Sequence, residues 1–268
     1  MKRLTVPDIL ARKGSTPLVV LTAYTAPMAR ILDPLVDIML VGDSLGMVVY
    51  GMDSTLGVTL EMMKLHGRAV AAQAKHAFVV VDLPFGTYQE SHAQAFASSA
   101  EIINNTGAQA LKLEGGVEMA STVRFLVERG IPVVGHVGLM PQRVHAMGGY
   151  KYQGRSDEEA QAIINDALAI EEAGAFAIVL EGIKESVAQE ITKRLRIPTI
   201  GIGASPTCDG QVLVIDDMLG MGGYIPSFVK HYAHIGQVIE QAVKTYSEEV
   251  HNRTFPSAEY CFPFKKKA

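Results

Sequence analysis

Cysteine is scarce in this chain. The two residues, Cys208 and Cys261, stand far apart and in no metal-like spacing. That spacing argues against a disulfide framework and favours a reducing compartment. Uninterrupted apolar stretches are short as well. The segment from Leu18 to Val41 is broken by Arg30, Asp33, Pro34 and Asp37, so it is no membrane span. Neither sign of charge dominates. The net charge of −4 is spread along the sequence and leaves no electrostatic footprint for nucleic acid. The only basic run, "FKKKA" at the end, reads as a solvated tail rather than a binding arm. The start, "MKRLTVPDILARKGS", is too polar for a secretory signal. A cytoplasmic enzyme is the expectation that remains.

What is present is a repeating pattern. Eight short apolar runs each close on polar or glycine residues: "PLVVLTAY", "DIMLVGDS", "AFVVVDLP", "AQALKLEGG", "IPVVGHVG", "AFAIVLEG", "IPTIGIGA" and "GQVLVIDD". Continuous apolar strands of this kind belong to parallel sheets covered on both faces. Helix-like stretches such as "SHAQAFASSAEIINNTG" and "SDEEAQAIINDALAIEEAG" lie between them and end on glycine. Eight alternations predict a single-domain (β/α)8 TIM barrel over 1–268, a fold of about 250 residues. An open doubly wound sheet is the alternative, and the eighth run is the weakest. A final helix is expected over 227–253, then an extended tail over 254–268.

The sequence echoes itself. "TGAQALKLEGG" resembles "AGAFAIVLEGI" at an offset of 67 residues, and "ERGIPVVGHVG" resembles "RLRIPTIGIGA" at an offset of 66. Such repetition suits a barrel built from like units. It aligns Glu114 with Glu181 and Lys112 with Val179, so the lysine is particular to the first copy.

In a barrel the C-terminal strand ends carry the site. Here they present Thr22, Tyr24, Asp43, Ser44, Asp82, Lys112, Glu114, His136 and Glu181. Three acids from consecutive strands, Asp43, Asp82 and Glu114, suit a hard cation such as Mg2+ with oxygen ligands. The plainer account of any one acid is a helix cap. Lys112 either pairs with Glu114 or meets an anionic substrate group. His136 is either a core histidine or a substrate contact. Glu181 is a proton acceptor or a helix cap. "GIGASPTCDGQ" is only weakly like a phosphate-gripping turn. "MGGYKYQGRS" is a lid or a plain surface loop.

Taken in order, "MLVGDSLGMVVYGMDSTLGVTLEMMKLH", "VVVDLPFGTY", "ALKLEGG", "PVVGHVGLMPQ", "GGYKYQGR", "VLEG" and "IGIGASPTCDGQVLVIDDMLG" resemble the ketopantoate hydroxymethyltransferase family from about Leu18 onward. The resemblance implies a magnesium-dependent barrel of pantothenate synthesis. It implies one-carbon transfer from 5,10-methylenetetrahydrofolate to 3-methyl-2-oxobutanoate through an enolate, giving 2-dehydropantoate. It places metal ligands at Asp43, Asp82 and Glu114, substrate contacts at Asp43, Ser44, Asp82 and Lys112, and the proton acceptor at Glu181. It also implies a homodecamer. The chain departs from the family pattern at Gly57, Gly182, Ser205 and Asp216, none of them a ligand. Two other functions compete. An isocitrate-lyase-type enzyme would need a different general acid and a lid cysteine, and neither is visible. A non-catalytic oxo-acid-binding barrel would bind without turnover.

Overall fold

The computed structural model describes residues 2–222 and 226–262. The basic end at 264–268 lies outside them. The chain divides into two compact units, one spanning Met1–Ile215 and the other beginning at Asp216.

The first unit is a closed barrel of eight parallel strands in sequence order. They are β1 (Leu18–Thr22), β2 (Ile38–Val41), β3 (Phe78–Asp82), β4 (Ala110–Lys112), β5 (Val133–Gly138), β6 (Ala177–Glu181), β7 (Thr199–Ile202) and β8 (Gly210–Leu213). Every predicted apolar run holds one strand. The helices follow in order as α1 (Val6–Leu10), α2 (Ala26–Leu32), α3 (Leu45–Val48), α4 (Leu60–Ala71), α5 (His92–Thr106), α6 (Ala120–Val127), α7 (Asp157–Glu172), α8 (Glu185–Arg194) and α9 (Ile215–Met218). Their starts are set by side-chain caps. Thr25, Thr59, Ser91 and Ser156 each accept a backbone N–H of the first turn, which satisfies a donor the helix itself cannot. Helix α5 stops at Gly107, whose φ of +76° is left-handed.

Side chains alternate in and out along each strand. Val20, Ile38, Leu40, Val80, Val134, Val179, Ile200 and Val212 point inward and line a small cavity with Lys112 among them. The lysine is thus the one charged member of an apolar layer. Its echo partner, Val179, lines the same space. At the other end of the barrel, Phe78 meets Phe176 edge-on with ring centroids 5.6 Å apart. Ile9 of α1 is fully buried in this core, with Leu4 and Val6 packed against it. The polar N-terminal segment therefore closes the bottom of the barrel, and Thr5 and Asp8 form the capping box that shapes it.

The covering is uneven around the barrel. On the outer face of β1, Val19 is 48% exposed, and Gln211 of β8 is exposed as well.

In the second unit, helix α10 (Ile235–His251) begins later than predicted. The N–H groups of Tyr232 and Ile235 bond to the carbonyls of Met218 and Leu219 instead of to a preceding helical turn. Val238, Ile239, Val243, Tyr246 and Val250 of α10 are exposed. The described part of the tail, 254–262, is irregular apart from one short turn, Ala258–Tyr260. Phe255 lies between Tyr246 and Tyr260, with ring centroids 5.5 and 5.9 Å away. No helix of the described residues is long and apolar enough to cross a membrane.

Candidate active site

The strand ends converge. Asp82 and Lys112 close β3 and β4 and are register partners. Asp43 and Ser44 follow β2, Glu114 follows β4, His136 sits inside β5, and Glu181 closes β6. Asp43, Asp82, Lys112, Glu114 and His136 are all buried. The Glu181 side chain is 17% exposed, so it is the most open of the four carboxylates.

The contacts form one chain. Lys112 Nζ lies 3.1 Å from Asp82 Oδ1 and 3.1 Å from His136 Nδ1. An ammonium only donates, so Nδ1 is the accepting nitrogen and Nε2 carries the proton. Nε2 donates to the Leu139 carbonyl at 2.9 Å and lies 3.3 Å from Glu181 Oε2. Asp82 Oδ2 accepts the backbone N–H of Asp43 at 3.1 Å. The hydroxyls of Ser44 and Tyr24 meet at 2.8 Å. His136 is therefore more than a satisfied core histidine: it links Lys112 to Glu181.

Burial sets the charges. It raises the Asp82 carboxyl to about 7, against the pull of Lys112. Burial likewise pushes Asp43 and Glu114 up. Burial alone would lower Lys112, but Asp82, Glu114 and Asp43 outweigh it and hold the ammonium charged. Burial and then Lys112 push His136 down, so its imidazole is neutral at pH 7.

These raised carboxyl values give a testable sign. A carboxyl that binds its proton more tightly when folded stabilises the fold at low pH. That stability disappears as pH climbs from the unfolded value through the folded one, near 7 for Asp82. The slope is up to about 1.4 kcal/mol per pH unit for one group. Chelator-treated protein should melt several degrees lower at pH 8 than at pH 5.5. Asp82→Asn should flatten the dependence. A melting temperature that rises over this range would contradict the picture.

The cluster suits a hard cation in donor type. Asp82 Oδ1 is buried and accepts no well-directed hydrogen bond, although Lys112 stands within ion-pair distance. Among the described residues no three such side chains already form a metal cage. Magnesium needs only one or two carboxylates, with water and substrate oxygens completing its shell.

Two residues not singled out from the sequence belong to this site. Gln142 is buried in the turn Pro141–Arg143 after β5 and donates to Asp43 Oδ2 at 2.9 Å. Tyr88, fully buried beyond β3, donates to Gln142 Oε1 at 2.6 Å. The loop "MGGYKYQGRS" is pinned beside Glu181: Gln153 donates its N–H to the Gly182 carbonyl at 2.7 Å and accepts that of Lys184 at 3.0 Å. Gly182 has a φ of +53°, a left-handed value that glycine adopts without penalty. In the seventh-strand turn, Ser205 Oγ is tied to Thr207 Oγ1 at 2.9 Å.

Residues 3–258 match the family model described as ketopantoate hydroxymethyltransferase. This chain belongs to the ketopantoate hydroxymethyltransferase family. It is 60% identical over 268 residues to the 3-methyl-2-oxobutanoate hydroxymethyltransferase of Paramagnetospirillum magneticum, covering 100% of this chain and 98% of that protein. The protein of the same name from Rhodospirillum rubrum is 59% identical, with 99% and 96% covered. Family membership makes the chain a hydroxymethyltransferase of pantothenate synthesis. Similar folds include phosphonopyruvate hydrolase solved with oxalate and magnesium, with a TM-score of 0.62, 12% identity, and 97% and 92% of the two chains covered. Another is 2,3-dimethylmalate lyase, with a TM-score of 0.59, 17% identity, and 97% and 89% covered. At such identities the likeness concerns the fold alone.

Proposed function

We propose that the chain transfers a one-carbon unit from 5,10-methylenetetrahydrofolate to 3-methyl-2-oxobutanoate, giving 2-dehydropantoate. The observation that carries the proposal is the unbroken polar path from Lys112 through His136 to Glu181. It joins a fixed cation to the most open carboxylate of the mouth. Asp43, Asp82 and Glu114 would hold Mg2+, with Asp43, Ser44, Asp82 and Lys112 about the oxo acid. A bound magnesium ion would supply positive charge to the oxo-acid oxygens while negative charge builds on them. Glu181 accepts the C3 proton. Lys112 adds charge where the carboxylate and keto oxygens lie. Neutral His136, its N–H given to the Leu139 carbonyl, stands 3.3 Å from Glu181 and limits where that carboxylate can lie without neutralising it. The carbon freed of its proton bonds to the methylene carbon of the folate, both C–N bonds of that carbon break, and water supplies the hydroxyl oxygen. The proton taken by Glu181 and one from water end on the two nitrogens of tetrahydrofolate.

The test is direct: supply 3-methyl-2-oxobutanoate, Mg2+ and methylenetetrahydrofolate, and follow 2-dehydropantoate. Folded protein that takes up the oxo acid and makes no product would be a binding barrel. Cleavage of a branched hydroxy acid instead would favour the lyase.

The assembly proposed is a homo-oligomer, a homodecamer by family resemblance. The exposed apolar side chains of α10 and the uncovered outer face of β1 support subunit contacts. The proposed location is the cytoplasm, in keeping with the two free cysteines, Cys208 buried and Cys261 exposed.

A further inference from the structure

Gln142 makes five polar contacts at the mouth. Its backbone N–H donates to Glu114 Oε2 at 3.0 Å. Its Nε2 donates to Asp43 Oδ2 and to the Leu83 carbonyl, each at 2.9 Å. Its Oε1 accepts from Tyr88 at 2.6 Å and from Gln89 Nε2 at 3.3 Å. The amide orientation is unambiguous. Both groups facing the nitrogen can only accept, because one is a carboxylate and the other a carbonyl. The Tyr88 hydroxyl accepts the Glu114 backbone N–H at 3.1 Å, and its own proton faces Gln142 Oε1 at 2.6 Å and, farther off, the Glu114 carbonyl at 3.3 Å. One glutamine thus joins the ends of β2, β3 and β4 from a turn that follows β5.

This bonding decides which carboxylate oxygens remain available. Asp43 gives Oδ2 to Gln142 and keeps Oδ1. Glu114 gives Oε2 to the Gln142 N–H and turns Oε1 toward His136, 3.8 Å from Nδ1. Asp82 follows the same rule by another route, giving Oδ2 to the Asp43 N–H and turning Oδ1 toward Lys112. Each acid is anchored through one oxygen.

We infer that Gln142 is a positioning residue, which fixes the carboxylates of Asp43 and Glu114 so that one oxygen of each is presented to the ligands of the mouth. The inference rests on the function proposed above, in which those oxygens meet a divalent cation. Gln142 touches no reacting atom itself. Partners that orient ligating groups from behind typically change metal affinity or activity by about 10–100-fold when removed.

The experiment compares the full-length protein with Gln142→Met and Tyr88→Phe. Methionine keeps the length of the side chain and the backbone bond to Glu114, but neither donates nor accepts strongly. Mn2+ alone is titrated and followed by its electron paramagnetic resonance signal, and KM and kcat are measured separately. We expect Gln142→Met to bind Mn2+ about tenfold more weakly or worse, and the KM for the oxo acid to rise by a similar factor. Tyr88→Phe should move both in the same direction by a smaller factor. A purely structural role would lower the melting temperature and leave Mn2+ affinity and KM within twofold of wild type, and that result would overturn the inference while the proposed function stood. Wild-type protein that bound no Mn2+ would bring down both. Should Gln142→Met fail to fold, Tyr88→Phe with unchanged Mn2+ affinity and KM would be decisive against it.

Discussion

Glu181→Gln should keep oxo-acid binding and lose turnover by about 10²–10⁴-fold, the usual worth of a positioned acid–base group. Glutamine has the size of glutamate and can occupy the same place beside His136 Nε2. What it cannot do is take a proton from carbon. The site around it should hold. Glu181 ends β6, where it pairs in register with Gly138 on one side and Ile202 on the other, and those ladder bonds use only backbone. The clean measurement is exchange of the C3 hydrogen of 3-methyl-2-oxobutanoate for deuterium, followed by proton NMR without folate. Wild type should exchange and the variant should not. Full exchange by Glu181→Gln would remove Glu181 from the role of proton acceptor, whatever happened to overall turnover.

Lys112→Met should be the most damaging change to the fold among the site residues. Its side chain is 6% exposed and its partner Asp82 3%, and Glu114 and Asp43 also act on its charge. Breaking a buried pair by removing one partner costs about 3–5 kcal/mol, because the remaining charge is left uncompensated in a poor solvent. Three acids share that cation here, so protonation is their only internal relief. The loss should therefore be larger at pH 8 than at pH 5.5. A divalent cation should recover much of it, since it replaces the missing positive charge. Urea unfolding of the variant at both pH values, with chelator and with millimolar Mg2+, reads all of this. A variant as stable as wild type in chelator at pH 8 would show that Lys112 does not hold the cluster together.

The barrel was legible because parallel strands covered on both faces must be apolar throughout, and all eight runs had that character. "GQVLVIDD" was the faintest, and the fold shows why. Only Gly210–Leu213 pair, and Gln211 sits on an outer face left open to solvent. The convergence of Asp43, Asp82, Lys112, Glu114, His136 and Glu181 was legible because closure of a barrel brings the C-terminal strand ends together. Gln142 and Tyr88 were not. Both lie on loops, and their reach across the mouth is set by tertiary packing. "GLMPQ" and "DLPFGTY" carry no periodicity that points a side chain anywhere. The short α1 went unrecognised for a related reason: five residues are too few for a helical pattern to show.

The repeated unit divides the mouth by the kind of selectivity each half can exert. Where the first copy holds Lys112 and His136, the second holds Val179 and Ile202, and only the glutamate is common to both. The second set lies on the next two strands around the barrel, β6 and β7, with Val179 in register with His136 and Ile202 with Glu181. In the function proposed above, the oxo acid's charge is met along the first arc, while the second offers only apolar side chains, with Glu181 on the boundary. Substitutions in the charged arc should decide whether any acid is accepted. Substitutions at Val179 or Ile202 should instead act through packing, because Val179 lines the same space as Lys112 and the two residues are register partners of His136 and Glu181.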